Sequence, residues 1–104
     1  MDPIIFIGKN KKHNFELIDA ASATDIWFHL DDRPSAHVIL KTILPLKAIP
    51  RELIKRCARL CMENSKTEKK TQSVLYTEVA NVKKTGILGQ VMLKNPCKKI
   101  LLRV

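Results

Sequence analysis

"DIWFHLDDRPSAHVILK", residues 25–41, decides the fold because it describes two strands and the turn between them. "DIWFHL" (25–30) and "AHVILK" (36–41) carry bulky residues at nearly every position. Pro34 falls in the turn, where its missing N–H is harmless. An antiparallel hairpin with its turn centred on Arg33 contains three opposite pairs: Asp25 with Lys41, Trp27 with Ile39, and His29 with His37.

This register predicts two faces of different character, because opposite residues share a face. The first face is apolar and predicts core: Ile26, Phe28, Leu30, Val38 and Leu40. The second face carries Trp27, His29, His37 and Ile39. A slip of one residue would place the two histidines on opposite faces. Bulky side chains on both faces indicate that both are covered, at least in part.

The remaining segments add strands and two helices. "IIFIG" (4–8) predicts a strand, and Asn14 is expected to cap a short helix, "FELIDAA". A second helix is expected from Pro50 to about residue 64, followed by a strand at "SVLYTEV" (73–79). "NVKKTGILG" (81–89) is predicted as a loop, and "QVMLK" and "KKILLRV" as a final hairpin around Asn95 and Pro96. The order predicts a single α+β domain over residues 1–104, with a mostly antiparallel sheet, one main helix and one short helix.

The net charge of +9 on 104 residues predicts a polyanionic partner. Nucleic acid, an acidic protein and an anionic membrane surface all fit this charge. No apolar run approaches the ~20 residues that a membrane helix needs, so no membrane span is expected. The charges near the N-terminus follow the apolar stretch, which argues against a secretory signal. Three cysteines without regular spacing favour reduced thiols, and hence a cytoplasmic protein.

Several candidate sites allow more than one interpretation. Trp27, His29 and His37 could form a partly buried group hydrogen-bonded to the backbone or to Asp31 and Asp32. They could instead form a surface on which a base stacks on Trp27, or an acid–base pair that cleaves RNA. A metal site would need His13 as a third imidazole. In the main helix, Cys57 and Cys61 fit core better than metal ligands. The row of Arg51, Lys55 and Arg59 fits either a solvated face or a phosphate-binding surface.

The chain resembles one known family across nearly its whole length. The matching stretches, in family order, are "GKNKKHNFEL", "DIWFHL", "SAHVIL", "IPRELIKRCARLCMENS", "VLYTEVANVKKTG" and "GQVML". As a set they are similar to the NFACT-R domain (DUF814), the RNA-binding-type domain of the NFACT proteins of ribosome-associated quality control. One departure lies in the third motif, where Pro34 stands at a position that is glycine in many members. Small stand-alone members continue into a charged helical tail, whereas this sequence stops at Val104. We therefore expect nucleic-acid contact without the arms that would span two ribosomal sites.

The resemblance implies a non-catalytic module that contacts RNA, either tRNA or ribosomal RNA, with the ribosome as a further expected partner and with no cofactor and no metal. DNA stays open, because nothing in the sequence identifies a reader of the 2′-hydroxyl. The alternatives are an adaptor that docks an acidic or ribosomal protein, and the RNA-cleaving enzyme that uses His29 and His37. The predicted nucleic-acid-binding residues are Lys9, Asn10, Lys11, Lys12, Asn14, Asp25, Trp27, His29, Ser35, His37, Lys83 and Lys84. Because lysines grip phosphate without reading sequence, we expect both lysine segments and the Trp27 face to form one surface.

Overall fold

The computed structural model describes residues 2–66 and 70–104, and its centre is a five-stranded antiparallel sheet. Across the sheet the strands lie in the order β1 (Ile5–Ile7), β3 (Val38–Leu40), β2 (Ile26–Leu30), β4 (Ser73–Glu78) and β7 (Ile100–Arg103). Two short strands, β5 (Val82–Lys84) and β6 (Val91–Leu93), form a separate hairpin. The α-helices of the described residues are α1 (Lys11–Ala20) and α2 (Arg51–Glu63). The predicted α+β class is confirmed.

The register of the β2–β3 hairpin is the predicted one. Trp27 pairs with Ile39. Beyond the paired residues, the ring centroids of His29 and His37 lie 5.1 Å apart. At the other end of the hairpin, the Lys41 ammonium lies 3.2 Å from the Asp25 carboxylate. A period-two pattern on both strands allows little slippage, because a slip would move every apolar residue to the wrong face.

Helix α2 covers the apolar face of the sheet. Its buried residues Ile54, Cys57 and Cys61 pack against the fully buried side chains of Phe28 and Leu30 and their neighbours. Burying each large side chain of this kind stabilises the fold by about 1.5–3 kcal/mol. The two cysteines are therefore core residues, and they are free thiols.

The opposite face of the sheet is covered by α1 and by the β5–β6 hairpin. These elements form a second core cluster, whose buried members are Ile18, Trp27, Ile39, Leu75, Val79 and Val82. The sheet is therefore buried on both faces, as the bulky residues of β2 and β3 predict. The same packing places Trp27 in the interior, with 2% of its surface exposed.

The start of α1 differs from the prediction, which made Asn14 the cap. The cap is Asn10, whose side-chain oxygen accepts the His13 N–H at 2.8 Å. In return, the His13 ring nitrogen Nδ1 accepts the Lys9 N–H at 3.0 Å. These two bonds satisfy backbone donors at both sides of the cap. Asn14 lies inside the helix and is buried.

The predicted final hairpin is wrong. Strand β6 pairs with β5, with Val82 opposite Leu93, and β5 lies within the segment that was predicted as a loop. Strand β7 instead pairs with β4, where Leu75 lies opposite Leu101. The β5–β6 hairpin thereby covers the Trp27 face, while β7 extends the central sheet as an edge strand.

Candidate functional site

The buried Trp27 and His37 and the half-buried His29 form one aromatic group. The Trp27 Nε1–H donates to Nδ1 of His37 at 3.1 Å. The His29 ring stacks on Trp27, with centroids 5.3 Å apart and planes at 24°. The Nδ1 atom of His29 lies 2.6 Å from the carbonyl oxygen of Leu30. This group joins the ends of β2 and β3 to the elements that cover them.

Both histidines are held in the neutral form. Burial, together with the nearby His29, lowers the pKa of His37 to about 3, although its hydrogen bond with the Gly89 backbone opposes the shift. Because Nδ1 of His37 accepts from Trp27, its Nε2 carries the proton and donates to the carbonyl of Gly89. Burial also lowers the pKa of His29, although its bond to the Leu30 carbonyl opposes that shift.

The burial of this group disfavours two of its interpretations, base stacking on Trp27 and acid–base catalysis by the histidine pair. Trp27 offers no exposed ring on which a base could stack, because α1 and the β5–β6 hairpin cover it. His37 is 1% exposed and both of its ring nitrogens are engaged, so it is not available to move a proton to or from a substrate. The interpretation in which both histidines are hydrogen-bonded to neighbouring protein groups is confirmed. Of the three rings, the half-buried His29 and the buried Trp27 line a cavity, whereas His37 does not.

Two more predicted site residues support the fold from within. The buried Asp25 carboxylate accepts the backbone N–H groups of Ser22 and Thr42, in addition to its bond from Lys41. The side-chain oxygen of Asn14 accepts the backbone N–H of His37 at 3.2 Å, which ties α1 to β3.

Gly8 and Ser35 occupy tight positions beside these groups. A Cβ on Gly8 would lie 1.7 Å from the side-chain oxygen of Asn14, so only glycine fits there. The Ser35 hydroxyl accepts the Leu30 N–H at 3.0 Å and so closes the β2–β3 turn, with Pro34 accommodated beside it. Gly8, Asn14 and Ser35 thus hold together the end of the sheet at which this turn lies, while Asp25 secures the opposite end of the hairpin.

Four cations converge at this same end of the sheet, and we call them the basic groove: Lys9, Lys11, Arg33 and Lys66. They line an open depression of about 520 Å³ between the start of α1, the β2–β3 turn and the residues that follow α2. Arg33 also contacts the exposed Asp32 carboxylate at 3.3 Å. Because they come from three separate segments, the four charges are concentrated only by the fold.

A second depression, the His29 cavity, adjoins the basic groove and has a volume of about 480 Å³. The two share Lys11, Asn14, Arg33, Pro34 and Ser35. The far wall of the His29 cavity is built from β6 and the loop before it, including Leu88, Gly89 and Gln90. Asp31 is the one acidic residue among the described residues that line the two depressions. The combined surface is therefore strongly cationic.

The start of α1 adds to this positive potential. A helix N-terminus carries a partial positive charge, and acidic residues normally stabilise it. The first turn of α1 contains no acidic residue and begins with Lys11 and Lys12. This arrangement disfavours the free helix and favours an anion at its end, which is typical of a surface that binds phosphate.

The three other predicted lysines lie outside the basic groove and the His29 cavity. Lys84 is ion-paired with Asp19 and lies 5.3 Å from the centre of the Phe15 ring. Asp19 follows Lys11 by eight residues, or about 12 Å along the helix. Lys83 and Lys12 are exposed but line neither depression. The expectation of one surface is thus met by Lys9 and Lys11 and not by Lys83 and Lys84.

Arg33, Lys66 and Gly89 were not predicted as site residues. Arg33 could have been found as the centre of the turn between the two histidine strands. Lys66 carries no local signal, because only the packing of α2 brings it to the groove. Gly89 has a φ of +82°, and its carbonyl accepts from His37. Among residues 2–66 and 70–104, no three metal-ligating side chains cluster together.

The fold and the groove together define a small α+β domain with a cationic recess at one end of its sheet. The chain belongs to the "NFACT protein RNA binding domain" family, whose sequence model matches residues 1–95. This family membership makes the chain a nucleic-acid-binding module in the broad sense.

The relatives found in the comparisons are longer than this chain. It is 40% identical over 93 residues to "Coiled-coil domain-containing protein 25" of Bos taurus, covering 84% of this chain and 45% of the relative. It is 37% identical over 103 residues to the Dictyostelium discoideum homolog, covering 91% and 50%. The chain thus spans about half the length of these relatives.

A solved structure shares the fold. It is titled "The structure of the C-terminal of the fibronectin/fibrinogen-binding protein from Streptococcus suis (FBPS)". The TM-score is 0.86 and the sequence identity 29%, over 99% of this chain and 41% of that chain.

No helix in the described parts of this chain has the length and apolar character to cross a membrane.

Proposed function

We propose that this domain binds RNA without catalysing a reaction, and that the basic groove holds the phosphate backbone. The observation that carries the proposal is the convergence of four cations from three segments on one recess at the N-terminus of α1. Phosphate contacts of this kind supply most of the affinity for a nucleic acid. The family description supports RNA as the polymer.

We propose that the ligand is a structured RNA such as tRNA or ribosomal RNA. The groove is a short recess rather than a long channel, so it suits a local feature of a folded RNA. We also propose that the protein meets this RNA in the cytoplasm, with the ribosome as a partner, since its free cysteines suit a reducing compartment. Cell fractionation with a ribosome sedimentation step tests both points.

The experiment is an equilibrium titration of a labelled RNA hairpin, at low salt, with a groove variant. The variant carries Lys9→Gln, Lys11→Gln and Lys66→Gln, which remove three charges and leave the buried network intact. We expect the affinity for RNA to fall by at least about tenfold, because charge-assisted contacts to phosphate are lost.

The matched control carries Lys47→Gln, Arg56→Gln and Lys99→Gln. These three cations are exposed and line neither depression, so the control loses the same net charge elsewhere. Its affinity should stay within about threefold of the wild type. If the control loses as much affinity as the groove variant, binding depends on overall charge and the groove assignment is wrong. A wild-type protein that binds an acidic protein but no RNA would favour the adaptor instead.

A further inference from the structure

We propose that the His29 cavity accepts one unpaired RNA base, while the adjoining groove holds the phosphates on either side of it. The inference rests on the proposed function and specifies which feature of an RNA the site selects. A volume of about 480 Å³ lies within the range of about 300–1,000 Å³ that is usual for pockets that take small organic ligands. The cavity is therefore large enough for a base and too small for a duplex.

The walls of the cavity have the chemistry that a base requires. Apolar side chains from β4, the hairpin loop and β6 supply contact area: Leu75, Leu88, Val91 and Leu93. His29 supplies a ring that is already stacked on Trp27, so its orientation is fixed before a ligand arrives. Flat apolar and aromatic walls hold an unstacked base in many single-strand binding proteins.

The polar groups at the cavity suit the edge of a base. The Nδ1–H of neutral His29 donates to the Leu30 carbonyl, which leaves its Nε2 lone pair as an acceptor for an exocyclic amine. The side-chain amide of Gln90 lies at the rim and can both donate and accept. A base can therefore be held by its edge as well as by its face.

The cations at the mouth of the His29 cavity fix where the RNA backbone runs. Lys11 and Arg33 line both the cavity and the basic groove. A base that enters the cavity places its flanking phosphates beside these two side chains, and the strand continues along Lys9 and Lys66. In a duplex the bases are stacked and paired, so only loops, bulges and single-stranded ends can supply such a base.

The test compares three RNA hairpins with the same stem: one with a single bulged nucleotide, one with an abasic bulge and one without a bulge. We expect the bulged RNA to bind about tenfold more tightly than the abasic RNA, since stacking of one base is usually worth a factor of this order or more. All three should remain sensitive to salt, because the phosphate contacts are common to them.

Two variants assign the effect to the cavity. His29→Ala and Leu88→Ser should each reduce the difference between bulged and abasic RNA to less than about threefold. Leu88 is 51% exposed, so its substitution leaves the fold intact. The matched control is Ile43→Ser, at a residue that is 90% exposed and lines neither depression. It should keep the full difference.

The outcomes separate this inference from the proposed function. Equal, salt-sensitive binding of the bulged and abasic hairpins would overturn the base site and leave RNA binding by the groove intact. A preference for the bulge that survives in Leu88→Ser as well as in Ile43→Ser would place the base elsewhere and overturn the cavity assignment. Failure of all three hairpins to bind at low salt would overturn the proposed function itself, and the inference with it.

Discussion

Acidification should destabilise this domain by an amount that the buried His37 determines. The folded-state pKa of His37 is about 3, whereas a histidine in the unfolded chain has a pKa of about 6.5. The unfolded chain therefore binds one more proton at any pH between these values. The contribution of neutral His37 to the free energy of unfolding is fully present above pH 6.5. It is lost progressively as the pH falls toward 3.

The expected magnitude follows from the linkage relation. Each pH unit within this window changes the free energy of unfolding by about 1.4 kcal/mol for one proton. Between pH 7 and pH 5 the loss from His37 alone is about 2 kcal/mol, allowing for its partial titration near pH 6.5. The lowered pKa of His29 acts in the same direction and adds to the loss.

The assay is urea unfolding at pH 7, 6 and 5, followed by the fluorescence of Trp27, the single tryptophan of the chain. A His37→Gln variant keeps one donor and one acceptor in the side chain but does not titrate. Its stability should fall less between pH 7 and pH 5, by a difference that approaches 2 kcal/mol. A wild-type stability that is flat over this range, or an equal fall in both proteins, would refute the assignment of His37 as a buried neutral group.

Three further results are expected from the packing. Gly8→Ala should destabilise the domain by about 2–4 kcal/mol in urea unfolding, because its new methyl group would overlap the Asn14 side chain. Asp25→Ala should cost about 2–4 kcal/mol, since it leaves buried backbone donors unsatisfied, whereas Asp19→Ala removes only an exposed ion pair and should cost less than about 1 kcal/mol. In native protein, a thiol reagent should modify Cys97 rapidly and spare both α2 cysteines, because burial raises their pKa values to about 12 and about 11.

Each of these results has a control and a contradicting outcome. Gly86→Ala is the control for Gly8→Ala, because a Cβ at Gly86 meets nothing within 4 Å. The free energy of unfolding of the Gly86→Ala variant should stay within about 0.5 kcal/mol of the wild type. Equal losses for the two glycine variants, or for the two aspartate variants, would contradict the packing. Labelling of three thiols at one rate in native protein would mean that the cysteines of α2 are accessible.

The sequence predicts those parts of the fold that local pattern specifies. Alternation in β2 and β3 fixes their register, and the apolar stripe of α2 fixes its inner face. The start of α1 was misplaced because Asn10 and Asn14 are both acceptable caps, and only the contact of Asn14 with His37 decides between them. Strand β5 was missed because it has three residues, two of them lysine.

The site was predicted in part for similar reasons. Lys9, Asn10, Lys11, Asn14 and Ser35 line one depression beside the β2–β3 turn, whereas Asp25 lies at the other end of the hairpin and Lys83 and Lys84 lie outside the groove. The burial of Trp27 depends on the β5–β6 hairpin, more than 50 residues away in the chain, so no local pattern signals it. The groove depends on Lys66 and Arg33, which meet Lys11 only after α2 and the turn have packed. Long-range packing thus converts a predicted stacking residue into a support for its neighbour His29.

The salt dependence of RNA binding tests the central claim most directly. The logarithm of the binding constant should fall linearly with the logarithm of the salt concentration, with a slope of about −0.7 for each single-strand phosphate that is neutralised. The four cations of the basic groove predict a slope of about −2 to −3 for the wild type. The groove variant that lacks Lys9, Lys11 and Lys66 should show a slope of about −0.7. An unchanged slope in that variant would contradict the claim that these residues hold the phosphate backbone.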